Sequence, residues 1–77
     1  MTLALTPTQI AVLAAVHRGD EEEGGLSVDQ LEPDEGEALA VLLSRGLVET
    51  IGEDEGEIVA RITEEGVSTL RDLGYRR

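Results

Sequence analysis

Two acidic runs and one histidine come closest to a chemical site in this sequence. The runs DEEE at residues 20–23 and EDEGE at residues 53–57 carry carboxylates that could hold Ca²⁺ or Mg²⁺ loosely. Neither run has the alternating spacing of oxygen ligands in a calcium loop, so we expect solvated charge and no metal. His17 has no cysteine and no ordered Ser-His-Asp set beside it, and its position fits a helix C-terminus. We therefore predict no enzyme and no cofactor.

The charge of the chain is strongly negative and unevenly distributed. Seventeen Asp and Glu residues against six Lys and Arg residues give a formal net charge of −11. Nine of these acids lie in residues 20–37 and five in residues 49–57. Arg45 is the single cation between residues 20 and 57, so this middle part carries fourteen acids and a net charge of −13. All six cations are arginine, which suggests a high-GC genome or a salt-adapted proteome.

Length and composition predict one small domain over residues 1–77. Hydrophobic residues make up 40% of the chain, but Phe, Trp and Cys are absent, so the core must be aliphatic and has no disulfide. A core of this size supplies a stability margin of only about 3–5 kcal/mol, and we expect a homodimer or a protein partner to supplement it. The chain shows no basic leader and no long apolar run, which favours a cytoplasmic protein without membrane contact.

Capping signals predict four helices. The first begins at Thr6, whose capping box is completed by Gln9. It is expected to run to about Arg18, with Gly19 as a left-handed stop and a solvated loop over residues 20–25. The third helix is the longest of the remaining three.

The second and third helices are separated by a proline. The second is expected to begin at Ser27 with Gln30 as its capping-box partner, and Pro33 limits it to about one turn. The third is expected to have Asp34 as its cap and to run to Arg45, where a glycine follows.

The fourth helix follows a β-hairpin. Strands are expected at residues 47–51 and 57–62 because apolar side chains alternate there. A third short strand is a candidate around Gly25-Leu26. The fourth helix begins at Thr63 and ends at Gly74. The hairpin side chains expected to face the core are Ile58, Ala60 and Ile62, with Val59 and Arg61 outward.

These elements predict an α+β winged helix-turn-helix fold of order α-α-α-β-β-α with an antiparallel wing of two or three strands. Four stretches resemble the DNA-binding core of MarR-type transcription regulators: LTPTQ at 5–9, LSVDQL at 26–31, SRGLVE at 44–49 and RITEEG at 61–66. The resemblance implies that the third helix reads DNA and the wing clamps phosphates. It does not extend to the family's long flanking dimerisation helices or to its basic wing residue.

The outward face of the third helix and the wing are the expected contact surface. They lie opposite a buried stripe expected at Leu39, Leu42 and Leu43. The residues assigned to contact are Glu37, Ala40, Val41, Ser44 and Arg45 on the helix, Glu53, Asp54 and Glu55 at the wing tip, and Arg61.

This surface is acidic or neutral, whereas affinity for phosphates comes from several Lys or Arg side chains. We therefore expect a regulatory or adaptor module that binds a protein, which would be drawn to the acidic surface if basic. The alternative is a small MarR-like DNA-binding regulator in a high-salt or high-GC organism, because salt near 1 M shortens the Debye length to about 3 Å and screens the repulsion.

The first helix is apolar on two sides, and only one side must face the core. One stripe contains Ile10, Leu13, Ala14 and His17. The other contains Val12, Ala15 and Val16. Burial of the second stripe within the chain and contact with a second copy are both open. The lack of large aromatic side chains slightly favours a homodimer through this stripe and the fourth helix.

Overall fold

The computed structural model describes residues 5–52 and 58–74. Within them, three α-helices and a three-stranded antiparallel sheet form an α+β winged helix, as the sequence predicted. The elements are α1 (Pro7–Glu23), β1 (Leu26–Ser27), a 3₁₀ turn (Val28–Gln30), α2 (Pro33–Ser44), β2 (Val48–Gly52), β3 (Ile58–Ile62) and α3 (Glu64–Asp72).

The first helix begins as predicted. The backbone N–H of Gln9 donates to Thr6 Oγ1 at 3.1 Å, and Gln9 Oε1 accepts from the backbone N–H of Thr6 at 3.1 Å. This reciprocal capping box satisfies two donors that the first helical turn cannot pair.

The end of α1 corrects the prediction. The helix passes through Gly19 and ends at Gly24, where φ is +78°, so the acidic run at 20–23 is its last turn and not a loop. Gly19 is buried, and a Cβ there would lie 3.2 Å from the carbonyl oxygen of Gly25. Close packing of α1 on the chain ahead of β1 thus offsets the cost of a helical glycine, about 0.5–1 kcal/mol. His17 is consequently inside the helix, with Nε2 2.9 Å from Glu21 Oε1.

The next two helix starts differ in detail from the prediction. The second helix is a single 3₁₀ turn, as its predicted length of about one turn allows, but Ser27 ahead of it makes no side-chain capping bond. The third predicted helix, α2, has Glu32 at its cap position in place of Asp34, because Pro33 takes the first helical position. The backbone N–H of Glu32 donates to Glu35 Oε1 at 2.9 Å.

The end of α2 is a Schellman motif. Gly46 has a φ of +74°. The N–H of Gly46 donates to the carbonyl of Leu43 at 3.1 Å, and the N–H of Leu47 donates to the carbonyl of Leu42 at 3.0 Å. The predicted glycine stop is confirmed here. The predicted cap of the last helix is confirmed too, because Thr63 Oγ1 accepts from the N–H of Gly66 at 3.1 Å.

The sheet has the order β1-β3-β2, so the candidate third strand is present. Ala60 of β3 pairs with Leu26 on one side and Thr50 on the other. Ala60 is buried and Ile62 packs on the core, as predicted. Ile58 is 45% exposed, which corrects its assignment to the core. It pairs with Gly52 at the end of the hairpin away from the buried Val48, where the core no longer reaches.

The core lies between the three helices and the end of the hairpin where Val48 pairs with Ile62. All the buried side chains in this core are aliphatic. Leu43, expected in the buried stripe of α2, is 37% exposed, and Ala38 is buried in that stripe. The buried face of α2 therefore keeps Leu39 and Leu42 from the predicted stripe and has Ala38 in place of Leu43. The buried residues are Val12, Leu13, Ala14, Val16, Ala38, Leu39, Leu42, Leu47, Val48, Ala60 and Leu70.

Candidate nucleic-acid interface

The outer face of α2 is open to solvent along its length. The helix is anchored on the other side by Ala38, Leu39 and Leu42. The Ser44 hydroxyl donates to the carbonyl of Val41 at 2.8 Å, which holds that side chain against the helix. Of the residues assigned to contact on this helix, Glu37, Ala40, Ser44 and Arg45 are exposed and Val41 is half-buried.

A cluster of hydrogen bonds fixes α2 relative to the hairpin and α3. Thr63 Oγ1 donates to the carbonyl of Gly46 at 2.8 Å, and the N–H of Thr63 donates to the carbonyl of Leu47 at 3.1 Å. The same hydroxyl caps α3 by accepting from Gly66. One residue thus joins the end of α2, the start of the wing and the start of α3.

Arg61 lies on β3 and faces outward, as predicted, but it is not a free cation. Its Nε is 2.9 Å from Oδ1 of Asp20 in the last turn of α1. Glu49 is its direct partner across the β2–β3 pair. Asp20 was not among the predicted contact residues, because the run at 20–23 was expected to be a loop and residues 41 positions apart carry no local signal.

The acids at the start of α2 lie beside the start of α1. The two first turns enclose an open cleft of about 370 Å³. The N-terminus of a helix carries a partial positive charge from its unpaired N–H groups, which favours nearby carboxylates. Asp34 and Glu35 lie in the first turn of α2, so the free N–H groups of their own helix favour their negative charge. The lining residues are Pro7, Thr8, Ala11, Glu32, Asp34 and Glu35.

The remaining expected site residues fall into two groups. Glu53, Asp54 and Glu55 at the wing tip lie outside the described residues. Val12 and Val16, assigned to a dimer interface, are 1% and 0% exposed, and only Ala15 beside them is half-buried. Their side chains fill the core of their own chain, since α1 is packed by both α2 and β3. Two of the three side chains in this stripe are therefore buried within their own domain.

Among residues 5–52 and 58–74, no group of three or more His, Asp or Glu side chains is placed to hold a metal ion. None of the helices described there is long and apolar enough to cross a membrane.

Comparison with known proteins identifies one structural relative. No protein-family profile and no characterised protein sequence matches the chain. The structure is similar to the crystal structure of the PcaV transcriptional regulator from Streptomyces coelicolor in complex with its natural ligand, with a TM-score of 0.72 and 28% sequence identity. The match covers 90% of this chain and 52% of PcaV, so the chain spans about half of that protein's length. The chain is a winged-helix domain that resembles the DNA-binding core of MarR-type transcription regulators.

Proposed function

We propose that residues 1–77 act as one winged-helix domain in a MarR-like transcription regulator of the cytoplasm, with α2 as the helix that contacts DNA. The observation that carries this proposal is the similarity to the PcaV transcriptional regulator, at 28% identity over 90% of the chain. This similarity favours DNA binding over contact with a protein. The charge distribution alone favoured the protein partner.

The side chains on the outer face of α2 are compatible with this role. Ala40 and Ser44 are small and exposed, which lets the helix backbone come close to base edges in a major groove. Arg45 is exposed at the end of the helix, where its planar guanidinium can bind a guanine or a phosphate through two hydrogen bonds. The bonds made by Thr63 tie the chain just after α2 to the start of α3.

The low number of cations limits the electrostatic part of DNA affinity. Arg45 and Arg61 are the assigned contacts with positive charge, and Arg61 already shares its charge with Asp20. Asp34 and Glu35 in the first turn of α2 add negative charge beside the proposed contact surface. Non-specific affinity is therefore weaker than in a basic winged helix, and contacts to bases supply a larger share of the binding energy.

A pair of serine substitutions tests the assignment of α2. Ser44 on α2 and Ser68 on α3 are both exposed helical serines, so Ser44→Glu and Ser68→Glu add the same charge at different places. Fluorescence anisotropy with a pool of labelled duplexes, enriched by selection for binding to the wild-type domain, gives the dissociation constants. We expect Ser44→Glu to weaken binding about tenfold or more, from loss of a contact worth about 1–3 kcal/mol, and Ser68→Glu to change it about twofold. Equal effects of the two variants would count against α2 as the DNA-contacting helix.

The middle segment with its net charge of −13 supports a second candidate, an adaptor that binds a basic protein. This candidate predicts that a labelled Arg- and Lys-rich peptide binds the wild-type domain, while duplex DNA does not bind from low to molar salt. Substituting Glu53, Asp54 and Glu55 with Lys would then abolish peptide binding. A homodimer would require a surface other than Val12 and Val16, which are buried.

A further inference from the structure

Arg61 uses only part of its hydrogen-bonding capacity. An arginine carries five N–H donors in a planar fork. The single N–H on Nε is directed to Asp20, at 2.9 Å. Within the described part of the chain, the two terminal nitrogens make no hydrogen bond, and the side chain is 45% exposed. Four donors therefore remain on a guanidinium whose orientation is already fixed.

The carboxylate that receives this hydrogen bond is largely shielded from solvent. The side chain of Asp20 is only 18% exposed, and it lies in the last turn of α1. The aliphatic part of Arg61 runs over Gly25, because a Cβ on that glycine would lie 3.4 Å from Arg61 Cγ. The same Cβ would lie 2.0 Å from Val59 Cγ1. The Arg61 side chain is thus placed at Cγ by the segment before β1 and at Nε by α1.

We infer that Asp20 is a positioning residue, which holds Arg61 so that its terminal nitrogens form a fork for one phosphate oxyanion. Guanidinium groups bind phosphates through two parallel N–H···O bonds, and the rigid fork makes the geometry specific. Under the proposed function, on which this inference rests, the oxyanion is a backbone phosphate of DNA beside the wing. Free inorganic phosphate has the same chemistry and serves as a second probe.

Asp20 also has an opposing effect, because its negative charge repels a phosphate near Arg61. If Asp20 only neutralised the charge of Arg61, it would weaken phosphate binding. Any uncharged residue in place of Asp20 would then strengthen phosphate binding to the same extent. A positioning residue behaves differently, since its hydrogen-bond acceptor matters and its charge does not. The two roles are separated by comparing variants that lose the same charge and differ only in the acceptor.

Asp20→Asn and Asp20→Ala are such a pair. Both remove the negative charge, but the Asn side-chain oxygen can still accept from Arg61 Nε, whereas Ala cannot. We expect Asp20→Asn to bind labelled duplex DNA about three- to tenfold more tightly than Asp20→Ala, because a free arginine side chain must be ordered on binding. The difference should vanish when Arg61→Ala is added to both variants. Equal affinity of the two single variants, with circular dichroism showing both folded, overturns the inference.

A titration with inorganic phosphate separates this inference from the proposed function. The side-chain N–H resonances of Arg61 in an NMR spectrum report binding at the terminal nitrogens directly. We expect phosphate to shift them in the wild type and in Asp20→Asn, and to shift them about threefold less at equal phosphate in Asp20→Ala. If DNA does not bind at any salt but this pattern is seen, the DNA function fails and the positioning role stands. If the Arg61 resonances shift equally in all three proteins, or in none, the positioning role fails.

Discussion

A Cβ on Gly66 would lie 2.1 Å from the carbonyl oxygen of Leu47 and 2.6 Å from Ile62 Cγ1. The first turn of α3 therefore touches the backbone that links α2 to β2, with no space for a side chain. The same carbonyl accepts the N–H of Thr63 at 3.1 Å. This backbone contact sets the distance between the proposed reading helix and the helix behind the wing.

Replacing Gly66 with Ala should therefore destabilise the domain strongly. A backbone oxygen cannot move aside as a flexible side chain can, and overpacking of this kind costs about 3 kcal/mol. Urea unfolding followed by circular dichroism measures the change in the free energy of unfolding. Because a domain of this size has a margin of about 3–5 kcal/mol, the variant should be close to unfolded in buffer.

Gly36 provides the matched control. It lies in α2, a Cβ there would meet nothing within 4 Å, and its φ is not positive. Gly36→Ala should stabilise the domain by about 0.5–1 kcal/mol, because alanine loses less backbone entropy in a helix. If Gly66→Ala were as stable as Gly36→Ala, the close contact between α3 and Leu47 would not exist in solution.

Thr63→Ala should cost about 1–2 kcal/mol of unfolding free energy. The substitution removes the cap on Gly66 and the hydrogen bond to the carbonyl of Gly46 together. Thr63→Ser keeps the hydroxyl and should stay within about 0.5 kcal/mol of the wild type. Equilibrium unfolding in urea distinguishes the two, and equal losses for Ala and Ser would show that the methyl group matters and the hydrogen bonds do not.

The features that the sequence predicted correctly are those fixed by neighbouring residues. The caps at Thr6 and Thr63 depend on a hydroxyl and a backbone N–H three positions later. The stop at Gly46 depends on the left-handed conformation that glycine adopts without strain. The order of helices and strands followed from these signals and from the apolar periodicity, so the winged-helix fold was accessible from the sequence.

The features that the sequence did not predict depend on packing between distant elements. Gly19 looked like a helix stop, but it is a contact point with Gly25, six residues later. The Asp20–Arg61 pair joins residues 41 positions apart, and no local pattern marks it. Side chains from both stripes of α1 are buried, because α2, α3 and the sheet all pack on this helix. A count of apolar residues could not decide between this burial and dimerisation.

Ile58 and Ile62 test the extent of the core along the wing. Both were expected to face it, but only Ile62 packs against the buried cluster, and Ile58 is 45% exposed. Replacement by Thr keeps the β-branched shape that suits a strand. Ile58→Thr should change the free energy of unfolding by at most about 0.5 kcal/mol. Ile62→Thr should cost about 1–3 kcal/mol, from lost apolar burial and a partly buried hydroxyl. The reverse order in a urea titration would place the core at the far end of the hairpin.

The salt dependence of DNA binding should be shallow for a winged helix. Each phosphate neutralised by a cation contributes about −0.9 to the slope of log K against log salt concentration. With Arg45 and Arg61 as the assigned cationic contacts, we expect a slope no steeper than about −2 in anisotropy titrations of duplex DNA.

Replacing Glu53, Asp54 and Glu55 with Lys adds three cations at the wing tip. It should steepen the slope by up to about 3 and tighten binding most at low salt, where screening is least. A steep slope in the wild type would mean that cations outside the assigned surface, such as those at the C-terminus, make the main contacts. An unchanged slope in the Lys variant would mean that the wing tip does not approach the DNA backbone.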